Sequence, residues 1–214
     1  MIRKTGILGG TFDPVHYGHL ALARAAVELC ELDHTLLLPA ALPPHKQNRT
    51  INSFADRVAM LDIAVKSKNK LSVSTIEELL PTPSFTIDTL LYLKLHSPSD
   101  VEFFFISGAD TFLDILSWKK YRQLLKECHF AVFSRVGQST TELLTFIEQL
   151  GFEQESTSCW EHPVSRKKIY HTNLSLPDIS SSMVRNRIAN AKSVKELIPQ
   201  GVADYIMDNS LYCS

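Results

Sequence analysis

The chain lacks closely spaced cysteines, an excess of either charge, and any long apolar run. Four cysteines, at 30, 128, 159 and 213, are scattered among 214 residues without a Cys-x-x-Cys pair. That pattern argues against a disulfide framework or a cysteine-rich zinc site, and it fits free thiols in a reducing compartment. The formal net charge of −1 argues against a nucleic-acid partner held by overall positive charge. It leaves room for a local cationic pocket. The most apolar runs, "HTLLLPAAL" and "VEFFFIS", fall far short of the ~20 residues that span a bilayer. "MIRKTGILGG" at the start lacks the apolar stretch of a signal peptide. No membrane partner and a cytoplasmic location are therefore expected. Internal repeats and low-complexity tracts are also missing, as are the Walker A loop and the Gly-x-Gly-x-x-Gly fingerprint.

What is present has the balance of a globular protein, with 44% hydrophobic and 21% charged residues. The length fits one domain over 1–214, with a helical subregion at 179–214. Short apolar runs alternate with segments of helical period. "TGILGG", "HTLLLPA", "LSVSTIE", "VEFFFIS", "CHFAVFSR" and "KIYHTNL" read as strands. Residues 18–32 read as a helix with Leu22, Ala25, Ala26 and Leu29 on one face. "NSFADRVAMLDIAVK", capped by Asn52 or Ser53, "SFTIDTLLYLKLHS" and "TTELLTFIEQLG" read as further helices. Such alternation predicts an α/β fold, a doubly wound parallel sheet with helices on both faces. Ligands then bind beyond the carboxyl ends of the strands, where "GGTFDPVHYGH", "PAALPPHKQN" and "SGAD" converge. The region from about 152 to 178 mixes polar residues with the strand at "KIYHTNL", and the role of residues 152–172 is left open.

The stretch "ILGGTFDPVHYGHLALARAA" concentrates unusual residues at one strand-to-helix turn. Gly9 and Gly10 let a ligand approach the backbone. A helix starting near Gly18 offers unpaired N–H groups and a positive dipole end, which suits an anion. His16 and His19 bracket that start, and imidazoles there can stabilise negative charge that moves during a phosphate reaction. A metal on these two histidines would have only Asp13 as a nearby third ligand, so no metal site is assigned. A tight turn with solvent-exposed histidines is the alternative.

"GGTFDPVHYGH" resembles the signature of the nucleotidyltransferases that share the His-x-Gly-His motif, and "ISSSMVRNRI" (179–188) resembles their second element, Ile-Ser-Ser-Thr-x-Ile-Arg. "PPHK" (43–46), "SFTIDTL" (84–90), "GADTFLDILSW" (108–118) and "LIPQGVADYI" (197–206) narrow the resemblance to bacterial nicotinate mononucleotide adenylyltransferases, over nearly the whole chain. The resemblance implies a Rossmann-like sheet and transfer of AMP from ATP to nicotinate mononucleotide, giving nicotinate adenine dinucleotide and pyrophosphate. The attacking phosphate oxygen is already ionised. No general base is needed, which matches the lack of a Ser-His-Asp arrangement or a carboxylate pair. Mg²⁺ is expected on the ATP phosphates.

Carried over residue by residue, the resemblance gives His16, His19 and Arg185 catalytic roles at the phosphates. Gly9, Gly10, Thr11 and Phe12 would form the floor for ATP, with His45, Lys46, Gly108, Ile179, Ser180 and Ser182 around it. Ser182 stands where the family has Thr, and Ser180 and Ser182 would serve equally as helix caps. Arg187 should face elsewhere. Thr86, Asp110, Trp118 and Arg135 would bind the mononucleotide. Trp118 would stack on the pyridine ring or pack in the core. Asp110 would meet ribose hydroxyls, cap the following helix, or both. Phe85 replaces a common Tyr, and "SRVG" around Arg135 lacks the family's Pro. Another phosphorylated acceptor such as nicotinamide mononucleotide, or a nucleotide sensor without turnover, are the rival readings, and the sequence leaves a homo-oligomer open.

Overall fold

Strands that are apolar along their length must be covered on both faces, and the chain supplies two separate layers for this. The computed structural model describes residues 2–42, 51–83, 85–135, 139–174 and 178–213. In chain order the elements are β1 (Arg3–Gly10), α1 (Tyr17–Leu29), β2 (His34–Pro39), α2 (Phe54–Val65), β3 (Leu71–Val73), α3 (Thr86–His96), β4 (Val101–Gly108) and α4 (Ala109–Leu113). They continue with α5 (Tyr121–Glu127), β5 (His129–Arg135), α6 (Thr141–Gln149), β6 (Glu153–Ser156), β7 (Cys159–Glu161), β8 (Lys168–Leu174), α7 (Ser181–Ala189) and α8 (Gln200–Asp208).

One sheet runs β3-β2-β1-β4-β5-β8-β7-β6. The pairs from β3 to β8 are parallel, and β7 and β6 continue the sheet antiparallel. Alternate residues of β4 serve opposite layers. Phe104 and Ile106 join Leu20, Ala23, Met60, Leu61, Val184, Val202 and Ile206 from α1, α2, α7 and α8. Phe103 and Phe105 join Ile87, Leu90, Phe112, Leu124, Leu143 and Ile147 from α3 to α6. The doubly wound reading therefore holds. From β1 the chain winds outward through β2 and β3, then returns to place β4 on the other flank of β1. That reversal opens a crevice beyond Gly10 and Gly108, at the strand tips.

Three local expectations change. The face of α1 toward the core is Leu20, Ala23 and Ala26, while Leu22, Ala25 and Leu29 are only partly buried at its flank. Small alanines at 23 and 26 let the helix sit close on the sheet. The third strand stops at Val73, and a 3₁₀ turn at Ile76–Leu79 replaces the rest of "LSVSTIE". Residues 153–161 form the β6–β7 hairpin, whose outer strand is exposed throughout. Ser53 caps α2 by accepting the Asp56 N–H at 3.1 Å. No helix among the described residues is long and apolar enough to cross a membrane.

Several histidines are buried neutral. Burial, reinforced by Lys167, Lys168 and Lys4, lowers His129 to about 3. Burial alone lowers His16 to about 4 and shifts His171 and His34 in the same direction. Unfolding frees these imidazoles to titrate near 6.5, so the unfolded state binds more protons as pH falls below that value. Their contribution to stability is complete above pH 6.5 and is lost toward pH 4. Calorimetry should show Tm nearly constant from pH 8 to 7 and falling by roughly 5–10 °C between 6.5 and 4. The slope should be shallower in His129→Gln, and an unchanged slope would contradict the assignment.

Candidate active site

The turn between β1 and α1 is built around close approaches. Phe12 has a left-handed backbone, φ 51°, which is costly for a bulky side chain and needs firm support. Its buried ring folds back over Gly10, where a Cβ would lie 3.0 Å from the ring. The Phe12 and His19 rings pack edge to face with centroids 4.8 Å apart. His16, at the N-cap of α1, stacks on His19 with ring centroids 3.6 Å apart. A Cβ at Gly18 would lie 3.0 Å from His16 Nδ1, so the small residue between the histidines permits the stack. The His16 N–H donates to His19 Nδ1 at 3.3 Å. Accepting there places the proton of a neutral His19 on Nε2.

The second motif packs against the same turn. Ser180 caps α7 by accepting the Met183 N–H at 3.1 Å. Ser182 instead accepts from Arg185 Nη2 at 3.1 Å, and Arg185 Nη1 donates to the Asp13 carbonyl at 2.7 Å. Ser181 Oγ donates to the Pro14 carbonyl at 2.9 Å. Arg185 is thereby fixed to the loop that carries the histidines. Arg187 turns away to the Ser193 carbonyl at 3.0 Å.

Two cavities meet at the crevice. The smaller, of about 180 Å³, is lined by His16, Gly18, His19, Leu22, Gly108, Ala109, Phe133, Arg135 and Ile179. The larger, of about 510 Å³, is lined by Gly9, Gly10, Thr11, Glu77, Phe85, Thr86, Phe105, Trp118 and Lys119, among others. Asp110 and Thr111 belong to both. Gly9, Gly10 and Thr11 thus face the cavity of Thr86 and Trp118, whereas Arg135 sits with the histidines and pairs with Asp178. Gly108 caps α4, so Asp110 is not the cap; it lies exposed in the first turn. Trp118 follows the 3₁₀ turn Ile115–Ser117 and stands edge-on to Phe105 at 5.4 Å, half-buried. Thr86 opens α3. His45 and Lys46 lie outside the described residues.

Four participants escape a reading of the motifs alone. Arg57 is 2% exposed and donates to the carbonyls of Thr11 (2.9 Å), Ala40 (2.8 Å), Asn52 (3.2 Å) and Ala41 (3.4 Å). It ties the loop after β1 to the loop after β2. Asp13 Oδ1 accepts from Tyr212 Oη at 2.7 Å and Asn52 Nδ2 at 3.1 Å. Glu77, buried at the edge of the larger cavity, accepts from Thr89 Oγ1 at 3.2 Å and so braces α3. Lys119 lies 4.5 Å above the Phe85 ring and pairs with Asp88 at 2.8 Å. Two of them left a sequence signal: Arg57 falls in the apolar stripe of α2 with Met60, Leu61 and Ala64, and Asp13 stands inside "GGTFDPVHYGH", though its bracing role did not show there.

A doubly wound sheet with a helix start, paired histidines and an arginine at its switch point defines a nucleotidyltransferase-type α/β enzyme. The cytidylyltransferase-like family model matches residues 7–187. A "Probable nicotinate-nucleotide adenylyltransferase" of Desulfotalea psychrophila is 40% identical, over 99% of this chain and 100% of its own length. Another so described, from Carboxydothermus hydrogenoformans, is 39% identical over 98% of each. The chain belongs to the nicotinate-nucleotide adenylyltransferase family. Among solved structures, Plasmodium falciparum nicotinic acid mononucleotide adenylyltransferase complexed with NaAD superposes with a TM-score of 0.73 at 23% identity, covering 98% of this chain and 97% of that one.

The two glycines of the turn should respond differently to a methyl group. At Gly9 the nearest atom to a new Cβ is Phe105 Cζ at 3.8 Å, an ordinary contact. At Gly10 the Phe12 ring is in the way. Gly9→Ala should fold with a nearly unchanged Tm and lose ligand affinity. Gly10→Ala should lose about 1–3 kcal/mol of stability by denaturant titration. The reverse order would show that the ring is not held as described.

Proposed function

We infer that the chain transfers the adenylyl group of ATP to the phosphate of nicotinate mononucleotide, forming nicotinate adenine dinucleotide and pyrophosphate. The observation that carries this reading is the meeting of two cavities at a shared Asp110–Thr111 wall, one holding paired histidines, the other Trp118 and Thr86. A two-substrate transfer needs that adjacency. The complexes of the Plasmodium enzyme with NaAD and with APC support the same pair of ligands.

In this reading His16, His19 and the start of α1 receive the ATP phosphates, with Gly108, Ile179 and Arg135 around them. Trp118 takes the pyridine ring, Asp110 the ribose, and the N–H groups at Thr86 the carboxylate. A phosphate oxygen of the mononucleotide bonds to the α-phosphorus, the bond from that phosphorus to the β-phosphate oxygen breaks, and pyrophosphate leaves with the electron pair. No proton is abstracted. His19 donates from Nε2 to a phosphate oxygen, and His16, held neutral by burial, adds a polar rather than charged contact. Arg185 carries the permanent positive charge for the leaving group. The smaller cavity sets the side-chain nitrogens of His16, His19 and Arg135 against the single carboxylate of Asp110, a set that suits phosphate oxygens better than a hard cation. We therefore propose that Mg²⁺ would be held mainly by the ATP phosphates themselves, where it would supply charge neutralisation for the departing pyrophosphate. Four free thiols fit a cytoplasmic setting.

The test is a product assay with ATP and Mg²⁺, offering nicotinate and nicotinamide mononucleotides in parallel. Dinucleotide and pyrophosphate should appear in equal amounts, with the acid strongly preferred. In the same assay His19→Ala should reduce turnover by about two to four powers of ten with a modest change in KM. Preference for the amide would overturn the acceptor, and no dinucleotide from either would overturn the transferase reading.

A further inference from the structure

The segment after α8 returns to the histidine loop, and one of its side chains ends there. Tyr212 has φ 64°, a left-handed conformation that an aromatic residue keeps only where its surroundings hold it. Its hydroxyl donates to Asp13 Oδ1 at 2.7 Å, and Asn52 Nδ2 reaches the same oxygen at 3.1 Å. Asp13 is 4% exposed. Its main-chain oxygen takes Arg185 Nη1 at 2.7 Å, and the carbonyl two residues earlier, at Thr11, takes Arg57. Asp13 therefore links the tail on one side to Arg185 on the other.

We propose that Tyr212 is a positioning residue for ATP binding, acting through Asp13 to hold Arg185 and the histidine turn in register. The proposal rests on the adenylyltransferase reading for the identity of the nucleotide, but not for the coupling to Arg185. Without the hydroxyl, the buried Asp13 carboxylate keeps one donor where it had two, and the nearby Arg57 charge draws it. The carbonyl that anchors Arg185 moves with it. Burial and the hydrogen bond to Asp13 push the Tyr212 phenol well above its usual range, so the donor stays protonated at any working pH.

A second tyrosine serves as the control. Tyr205 in α8 donates to Asp56 Oδ1 at 3.0 Å, docking the same part of the chain on α2 without touching the turn. Binding of α,β-methylene-ATP would be measured by calorimetry on full-length variants with no acceptor present. Tyr212→Phe should raise Kd about three- to tenfold. Tyr205→Phe should leave it within twofold. On an Arg185→Lys background, Tyr212→Phe should have less than a twofold effect, because the group it positions is already altered. If Tyr212→Phe does not fold, Asn52→Ala removes the other donor to Asp13 and should weaken the analogue in the same direction. An equal loss in both Arg185 backgrounds, an equal loss from Tyr205→Phe, or unchanged affinity in Tyr212→Phe would overturn the proposal. Wild-type protein that binds the analogue but makes no dinucleotide would count against the adenylyltransferase reading alone.

Discussion

A buried guanidinium holds the crevice together. Arg57 lies beneath the turn with almost no exposure, and burial lowers its pKa while Asp13 and Tyr212 oppose that shift. A charge in that position persists only if its donors are used and a counter-charge is close. Four backbone carbonyls supply the acceptors: Thr11 after β1, Ala40 and Ala41 after β2, and Asn52 before α2. The Asp13 carboxylate supplies the opposing charge. Thr11, Ala40, Ala41 and Asn52 lie outside the strands and helices, so no ladder satisfies their carbonyls. The same contacts that solvate the arginine also solve the backbone's hydrogen-bonding problem.

From this tie the rest of the site follows. The fixed turn keeps Phe12 in its left-handed conformation, Phe12 supports His19, and the His19 Nδ1 takes the N–H at the start of α1. One helix start thus presents an imidazole whose tautomer is set by the backbone. Helix α7 docks on the same loop through Ser181 and Arg185. Two sequence elements far apart in the chain become one surface. The two cavities divide at the start of α4, since Gly9 and Gly10 at the tip of β1 line the Trp118 side, Gly108 at the tip of β4 lines the histidine side, and Asp110 and Thr111 belong to both.

Much of this was legible from local pattern. Apolar strands such as "VEFFFIS" demand two covering layers, so the parallel sheet and its ligand-bearing edge follow from burial. The histidines and the helix start near Gly18 stand in a short motif whose chemistry is readable in place, whereas Ser180 and Arg185 are assigned through the family resemblance. The residues that hold them were hidden for a physical reason. Tyr212 and Asp13 are neighbours only because α8 docks on α2, and no local period reports such a contact. Gly10 looked like clearance for a ligand, but its space belongs to Phe12. Asp110 looked like a cap, yet β4 runs directly into α4 and Gly108 takes that place. The β6–β7 hairpin carries polar residues on an exposed edge, so it lacked the alternation that marks a half-buried strand.

In the proposed reaction the turn receives charge and forms no covalent bond to the substrate. On that proposal the histidines act as donors, and the acceptor phosphate attacks phosphorus directly. The most direct test is the stereochemistry of transfer with ATP made chiral by sulfur at the α-phosphorus, read from the configuration of the dinucleotide product. A single in-line displacement gives inversion, which is the result expected here. Retention would mean that a side chain of the protein, with a histidine the first suspect, carries the adenylyl group between two displacements, and it would contradict the account.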